Sequence, residues 1–383
     1  MSKIIYKALI FKDMKKNFWG FIIFLLLIGC KDDTPTPFDS NRLIGIPYQP
    51  MPYLMPNLDS ALGFLSMPIP TDNPLTVEGV ELGRRLFYDP ILSSDSTQAC
   101  ASCHKQNLAF TDGHAVSKGI TGQFGRRSAM SLENIGFMNK GLFWDGRTSS
   151  LETQALLPVE DPIELHQNWT NLEVKLRQHK DYPTRFRKAF GIQNKSEINK
   201  LLAAKAIAQF ERTLISGHAK VDKMRRREAG VEFTVDELTG FEMFFNVGLA
   251  PDAQCGHCHS GVLYTNHLYE NNGLDSAATL NDFQDKGLGG FNGNPNDNGK
   301  FRTPSLRNIE LTAPYMHDGR FNTLEEVLAH YASGGHYSAT RNAFLPQIRD
   351  IHLTVKQQRQ IIAFMKTLTD TTFTTNPVFK NPF

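Results

Sequence analysis

The stretch Cys100-Ala101-Ser102-Cys103-His104 sets the architecture of this chain. Two thiols three positions apart, followed directly by a histidine, form the attachment motif of a c-type haem. Each thiol can add to one haem vinyl group, and the imidazole then ligates the iron. The motif recurs as Cys255-Gly256-His257-Cys258-His259. A zinc site or a redox-active cysteine pair is the alternative for either motif, but the histidine that ends both favours two covalently bound haems.

Length and composition restrict the interpretation further. The 383 residues are enough for two ordinary domains, and each half of the chain contains one haem motif. Lys plus Arg number 41 and Asp plus Glu 39, so the overall charge does not favour nucleic acid as a partner. Four of the five cysteines belong to the haem motifs, which leaves Cys30 alone and excludes a disulfide framework.

The N-terminus has the pattern of an export signal. Five lysines within residues 1–17 precede an apolar run, residues 18–28, that is too short to span a bilayer. Its end, Leu27-Ile28-Gly29-Cys30, resembles a bacterial lipobox, which implies cleavage before Cys30 and acylation of that cysteine. Several acyl chains would anchor the exported protein stably in a membrane. The alternative is a free cysteine at the end of an N-terminal membrane helix.

The segments before the two haem motifs are alike. Apolar residues at helical spacing precede each motif, and Leu82 lies almost as far before Cys100 as Leu238 lies before Cys255. These matching offsets predict a duplicated helix-and-haem unit. The predicted organisation is a signal peptide at 1–29, an acylated proline-rich linker at 30–74, an N-terminal haem domain at 75–228 and a C-terminal haem domain at 229–383.

Other helix signals complete an all-α prediction. Ser196 is predicted to cap a long helix that continues to Leu214. Thr323 with Glu326 reads as a capping box, and the last helix is predicted to begin at Thr354. Residues 271–300 are rich in Gly, Asn and Asp, which predicts a long connecting loop. An alternating pattern typical of strands is absent from the sequence.

Taken together, the motifs resemble those of the bacterial di-haem cytochrome c peroxidase family, including its MauG-like branch. The two haem motifs enclose the stretch Phe143-Trp144-Asp145-Gly146-Arg147. Further matching stretches are Ser150-Leu151-Glu152-Thr153-Gln154-Ala155, Pro162-Ile163-Glu164, Pro304-Ser305-Leu306-Arg307-Asn308 and the run from Thr312 to Gly319. The resemblance covers roughly residues 75–370 and implies that peroxide reacts at the N-terminal haem, while the C-terminal haem stores and relays electrons.

The resemblance also implies roles for three side chains. Trp144 falls at the position of a tryptophan that carries electrons between the haems; a buried core tryptophan is the alternative. Glu164 matches a carboxylate that takes a proton from one peroxide oxygen and returns it to the other. Gln154 matches its companion glutamine. Without the resemblance, Glu164 would pass as a solvated surface acid.

The sequence departs from the peroxidases at both iron ligands opposite the histidines. The family's distal histidine position, counted onward from His104, holds Ile120, so that iron is expected to be open or to bind water. His114 is an alternative ligand, or a surface histidine. The family's methionine position, counted onward from His317, holds Tyr331, as in MauG, and a phenolate stabilises ferric iron. Met316 and His330 are rival ligands if Tyr331 serves only as part of the apolar face of its helix.

The family further holds a calcium ion between the haems. Thr312 and Pro314 match its backbone carbonyl donors, but Ser128 stands at the position of its asparagine. A hydroxyl is a weaker donor to calcium than an amide oxygen. Calcium is therefore an expectation from the resemblance alone.

The sequence thus predicts an exported, lipid-anchored di-haem peroxidase on the periplasmic side of the cell envelope. It would reduce hydrogen peroxide to water with electrons from a small cytochrome c or copper protein, and a homodimer is left open. One alternative is a MauG-like oxidase that uses high-valent iron to modify a protein or organic substrate, which Ile120 and Tyr331 favour. Another is a passive electron-transfer cytochrome with both irons six-coordinate.

Overall fold

A computed structural model of the chain describes residues 39–56, 62–64, 66–248, 251 and 253–383. The predicted signal peptide and Cys30 lie outside these residues. Residues 41–383 form one compact unit. None of the helices in the described part of the chain is long and apolar enough to span a bilayer.

The fold is predominantly helical, as the sequence predicts. Its strands, β1 (Tyr269–Glu270) and β2 (Phe301–Arg302), pair in antiparallel fashion. The helices of the described residues are α1 (Val77–Tyr88), α2 (Cys100–Cys103), α3 (Leu151–Gln154), α4 (Leu157–Glu160), α5 (Trp169–Gln178), α6 (Tyr182–Phe190), α7 (Lys200–Arg212), α8 (Lys220–Arg225), α9 (Val235–Phe245), α10 (Gly287–Asn292), α11 (Leu324–Ala332), α12 (Phe344–Ile351), α13 (Val355–Lys366) and α14 (Thr371–Thr375).

Two closely packed helix pairs form the framework, α1 against α7 and α9 against α13. Each pair meets at a glycine. A Cβ on Gly83 would overlap the carbonyl oxygen of Ala206, and a Cβ on Gly240 would overlap that of Gln360. Both glycines therefore let two helix backbones approach more closely than any larger residue allows.

Two main hydrophobic clusters surround these pairs. The first includes Leu82 and Phe210, and the second includes Phe244 and Phe364. The chain crosses between them at its end, because Phe373 of α14 packs in the first cluster. The C-terminal segment therefore folds back onto the N-terminal half.

Most predicted helix starts are confirmed. The helix predicted from the apolar spacing around Leu82 is α1, which begins at Val77 after the N-cap Thr76. The capping boxes that begin at Thr323 and Thr354 are both present. The prediction that Ser196 caps α7 is wrong. Ser196 lies in a short 3₁₀ turn, and Asn199 instead accepts hydrogen bonds from the first backbone N–H groups of α7.

Two regions predicted to be irregular contain packed structure. Within the predicted linker, Leu43, Leu62 and Phe64 are buried, so these parts of it pack on the body. Residues 271–300 include the short helix α10. The assignment of 75–228 and 229–383 to separate domains stays a prediction.

Candidate functional site: two cofactor cavities

Each haem motif opens into its own cavity. The first cavity, about 510 Å³, is lined by the first motif together with Gln154 and Glu164. The second, about 240 Å³, is lined by Cys255, Cys258 and His259 together with Tyr331. The two thiols and the imidazole of each motif thus face one shared space, as covalent attachment of a haem requires.

The histidine of each motif is held in the orientation of a metal ligand. Nδ1 of His104 lies 2.8 Å from the Phe110 carbonyl oxygen, and Nδ1 of His259 lies 3.0 Å from that of Tyr264. Because a carbonyl oxygen only accepts hydrogen bonds, Nδ1 must carry the proton, which leaves the lone pair on Nε2 for iron. Burial also lowers the pKa of His104, and that of His259 to about 4, so both imidazoles are neutral at pH 7.

The thiols suit covalent attachment better than zinc binding. Burial raises the pKa of Cys100 and Cys103, and that of Cys258 to about 11, so these residues are neutral thiols in the protein without a cofactor. Among the described residues, no group of three or more His, Cys, Asp or Glu side chains is arranged to hold a metal ion. The donor sets therefore fit two c-type haems.

A thin wall of shared residues separates the cavities. Trp144 lines both, and its Nε1–H donates to the Ser128 carbonyl oxygen at 3.0 Å. Two backbone hydrogen bonds of 2.8 Å cross this wall in opposite directions, from Ser128 to His317 and from Arg302 to Trp144. The residues that line both cavities are Ser128, Ala129, Met130, Trp144 and Arg302.

Glu164 is exposed, and it lines the first cavity. Its carboxyl group is nevertheless crowded by protein: desolvation, supported by the nearby Asp161, raises its pKa to about 7, although Arg147 opposes the shift. A carboxyl group with this pKa can both accept and donate a proton near neutral pH. Gln154, at the end of α3, lines the same cavity.

A close contact between two loops holds Glu164 in place. The backbone N–H of Ile120 donates to the Glu164 carbonyl oxygen at 3.1 Å. A Cβ on the neighbouring Gly119 would overlap the carbonyl oxygen of Ile163, so only glycine permits this approach. Ile120 itself is not among the residues that line the cavity, and His114 is exposed and also absent from that lining.

The rival ligands of the second haem occupy different surroundings. Tyr331 and Met316 both line the second cavity, whereas His330 does not, and its Nε2 lies 2.9 Å from the Asn272 carbonyl oxygen. The side-chain amide of Asn272 contacts both Met316 and Tyr331. It donates to Met316 Sδ at 3.2 Å and hydrogen bonds to the Tyr331 side chain. Burial raises the pKa of Tyr331 to about 12, so its phenol is neutral unless a cation binds the oxygen.

The residues expected at a calcium site lie together. Ser128, Thr312 and Pro314 all line the second cavity. The Ser128 hydroxyl, however, donates to the Met316 carbonyl oxygen at 3.0 Å. Calcium stays a prediction.

Three buried charged residues that sequence reasoning missed also line these cavities. Glu211 lines the first cavity, Glu133 the second, and Arg302 both. Each has a buried side-chain polar atom without a hydrogen-bond partner. In the sequence, Glu211 and Arg302 look like ordinary charged residues, because a missing partner is a property of the folded molecule.

These features define the class of protein. A predominantly helical fold with two cavities, each lined by a CxxCH motif whose imidazole is oriented for iron, is the scaffold of a di-haem cytochrome of the c type. Trp144 lies in the wall between the two cavities and lines both of them.

Comparison with known proteins identifies the family. The sequence model of the di-haem cytochrome c peroxidase family matches residues 77–230. The chain is 32% identical to a cytochrome-c peroxidase of Denitromonas iodatirespirans, over 80% of this chain and 85% of that protein. It is 34% identical to the methylamine utilization protein MauG of Methylorubrum extorquens, over 79% of this chain and 81% of that protein. The chain belongs to the di-haem cytochrome c peroxidase family and is an oxidoreductase that holds two haems.

A solved structure agrees with this assignment. The crystal structure of a MauG-like protein associated with microbial copper homeostasis superimposes with a TM-score of 0.77 and 35% sequence identity. The match covers 85% of this chain and 99% of that protein. The predicted resemblance to this family is therefore confirmed.

Proposed function

We propose that this protein is a peroxidase that reduces hydrogen peroxide to water with electrons from a small cytochrome c or copper protein. The observation that carries the proposal is Glu164, a carboxyl group with a pKa near 7 in the lining of the cavity that contains His104. Reduction of one peroxide molecule to two waters consumes two electrons and two protons, so a proton carrier at this cavity is required.

The residues of the first cavity are proposed to have different roles in the reaction. A bound haem would supply the iron that exchanges electrons with peroxide. Glu164 takes the proton from the near oxygen of peroxide and returns it to the leaving oxygen, so that the O–O bond breaks heterolytically. Gln154 orients the peroxide by hydrogen bonding. Because neither Ile120 nor His114 lines this cavity, peroxide has access without displacing a protein ligand.

Trp144 is proposed to carry electrons across the wall. Its indole lines both cavities and is fixed by the hydrogen bond to Ser128. His259 and Tyr331 are proposed to be the residues that would hold the second haem iron, since both line the second cavity and His330 does not.

The two halves are proposed to descend from a duplicated unit. The stretch Ser131-Leu132-Glu133-Asn134-Ile135 corresponds to Ser305-Leu306-Arg307-Asn308-Ile309 in the second half. Asn134 N–H donates to Leu214 O, and Asn308 N–H donates to Leu368 O, just beyond α7 and α13. The same alignment pairs Ser128 with Arg302, whose backbone bonds cross the wall in opposite directions. These parallels support haem domains at 75–228 and 229–383.

The cellular setting is proposed from the sequence. The lysine-rich N-terminus and the stretch ending at Cys30 support export to the periplasm and anchoring by acylation of that cysteine. Substitution of Cys30 by Ala should release the protein from membranes into the soluble periplasmic fraction. Membrane retention of that variant would contradict the anchor.

Steady-state kinetics tests the activity. The holoprotein is mixed with hydrogen peroxide and one reduced electron donor, either cytochrome c or a copper protein. Oxidation of that donor is followed optically. Rapid peroxide-dependent oxidation of either donor is expected. No such oxidation, with both haems intact, would overturn the proposal.

A MauG-like oxidase is the second candidate, favoured by the position of Tyr331 in the second cavity. It predicts slow donor oxidation and a long-lived oxidised state after peroxide is added to the diferric protein. A passive cytochrome predicts two low-spin irons, so a high-spin ferric signal in electron paramagnetic resonance excludes it. The variant Tyr331→Met should raise the potential of the second haem, since a thioether stabilises ferrous iron.

A further inference from the structure

Arg302 differs from the other arginines buried at this depth. Arg307 is paired through both terminal nitrogens with Asp222, and Arg212 is paired in the same manner with Glu152. Arg302 is only 3% exposed, yet it makes no ion pair with any carboxylate of the described residues. An unpaired buried cation costs several kcal/mol, so this guanidinium is expected to have an anionic partner that the polypeptide does not supply.

One nitrogen of the Arg302 guanidinium lacks a hydrogen-bond partner. Nε donates to the Phe143 carbonyl oxygen at 3.3 Å, and Nη2 lies 3.4 Å from Met130 Sδ, a weak acceptor. Nη1 is buried and has no hydrogen-bond partner. The residue lines both cavities, so this donor belongs to a side chain of the wall between them.

We propose that Arg302 binds a propionate carboxylate of a haem at the wall between the two cavities. A guanidinium is suited to this role because its parallel N–H groups match the two oxygens of a carboxylate. The backbone of Arg302 is tied to Trp144 by a 2.8 Å hydrogen bond. The same residue thus fixes the cofactor edge and the indole between the cavities. This inference requires only that both haems bind, and it holds for a peroxidase and for a MauG-like oxidase alike.

Glu133 is the protein group that could compete for this role. It is 2% exposed, lines the second cavity and has one unpartnered carboxylate oxygen. It does not lie within ion-pair distance of Arg302, and burial raises its pKa well above the ordinary value. Because Glu133 makes no ion pair with Arg302, it leaves the guanidinium without a compensating charge, and the propionate is the better partner.

The test uses the holoprotein and two measurements that do not depend on turnover. Resonance Raman spectroscopy records the haem propionate bending bands, which respond to hydrogen bonds at the carboxylate. Spectroelectrochemical titration records the midpoint potential of each haem. In Arg302→Gln, we expect the propionate bands of at least one haem to shift. We also expect its ferrous-to-ferric ratio at fixed potential to fall about tenfold, or about 59 mV, because a nearby cation favours the ferrous state.

Three further variants separate the explanations. Arg302→Lys keeps the charge but loses the parallel N–H pair, so its potentials should lie near the wild-type values while the propionate bands shift. Arg359→Gln removes the same charge from an exposed position on α13 and should change neither measurement. Glu133→Gln should leave the propionate bands unchanged.

Several results would overturn the proposal. Unchanged propionate bands in Arg302→Gln would do so, as would equal effects of Arg302→Gln and Glu133→Gln, which would make Glu133 the partner. If Arg302→Gln fails to retain both haems, Arg302→Lys decides the question, and unchanged propionate bands in that variant reject the contact.

Discussion

The two cofactor cavities share their scaffold and differ in the side chains that line them. In both, the histidine Nδ1 meets a backbone carbonyl oxygen and a glycine joins two helices. The first cavity then presents the carboxyl groups of Glu164 and Glu211, whereas the second presents the sulfur of Met316 and the phenol of Tyr331. The comparison teaches that one helical framework can surround two like attachment motifs with side chains of different chemistry, carboxyl groups in one cavity and a thioether and a phenol in the other.

Replacement of Glu164 by Gln tests the division most strongly. If the first cavity is the reaction site, this variant should lower kcat/KM for peroxide by about 10²- to 10⁴-fold, since it removes a general acid–base. In the wild type, kcat/KM should rise with pH around a midpoint near pH 7, as Glu164 loses its proton, and level off above that pH. That rise should be absent in the variant.

Tyr331→Phe is the matched change in the second cavity, since it removes one ionisable group from the lining of that cavity. It should alter the potential of the second haem and leave the pH profile of the peroxide reaction intact. A larger loss of peroxide reactivity in Tyr331→Phe than in Glu164→Gln would reverse the assignment of the two cavities.

Glu211 also lines the first cavity, and the effect of its buried carboxyl group can be measured as a pH dependence of protein stability. It is 5% exposed on α7, one carboxylate oxygen lacks a partner, and desolvation raises its pKa to about 8. The native state therefore retains this proton between about pH 4.5 and 8, while the unfolded chain releases it. Stability from this group is full below pH 4.5 and is lost as the pH rises towards 8.

Urea denaturation at pH 5 and pH 8 measures this effect. The fall in the free energy of unfolding between the two pH values should be smaller in Glu211→Gln than in the wild type, by up to about 4 kcal/mol. Glu81→Gln, at an exposed position of α1, should match the wild type. An equal pH dependence in all three proteins would show that Glu211 is not protonated in the native state.

The common framework can be tested at its two glycines. Gly83→Ala and Gly240→Ala each force a methyl group against a backbone carbonyl of the partner helix. Each should lower the free energy of unfolding by about 1–3 kcal/mol, the usual range for overpacking. Glu81→Ala and Leu238→Ala, exposed on the same helices, serve as controls. A large loss at one glycine and none at the other would mean that the two halves do not share their packing.

The features that can be predicted from this sequence are those encoded by a few adjacent residues. The haem motifs and the caps Thr323 and Thr354 are read from a few adjacent residues, and the structure confirms these caps. The prediction that Ser196 caps α7 failed because several polar residues precede this helix and could serve as its cap. Which of them does so depends on where the buried face of the helix begins.

The site residues show the same limit. Glu164 and Trp144 could be selected only through the family resemblance, since nothing in their immediate sequence distinguishes them. Arg302 was missed because its importance rests on the absence of a partner after the chain has folded. Residues distant in sequence decide such absences, so no local pattern records them.

The smallest expected effect concerns the loop that positions Glu164. A methyl group on Gly119 would overlap the Ile163 carbonyl oxygen, but a surface loop can shift more readily than two packed helices. Gly119→Ala should therefore cost about 1 kcal/mol of stability, at the low end of overpacking, while displacing the Glu164 backbone. A misplaced catalytic group commonly slows a reaction strongly, so we expect peroxide turnover to fall at least about tenfold.

Thr121→Ala is the matched control in the same loop. Thr121 is exposed and is not among the residues that line the first cavity. This variant should keep wild-type turnover and wild-type stability. Equal turnover in the two variants would mean that the contact between Gly119 and Ile163 does not position Glu164. The reactivity of the first cavity would then depend on the Glu164 side chain itself and not on the exact position of its backbone.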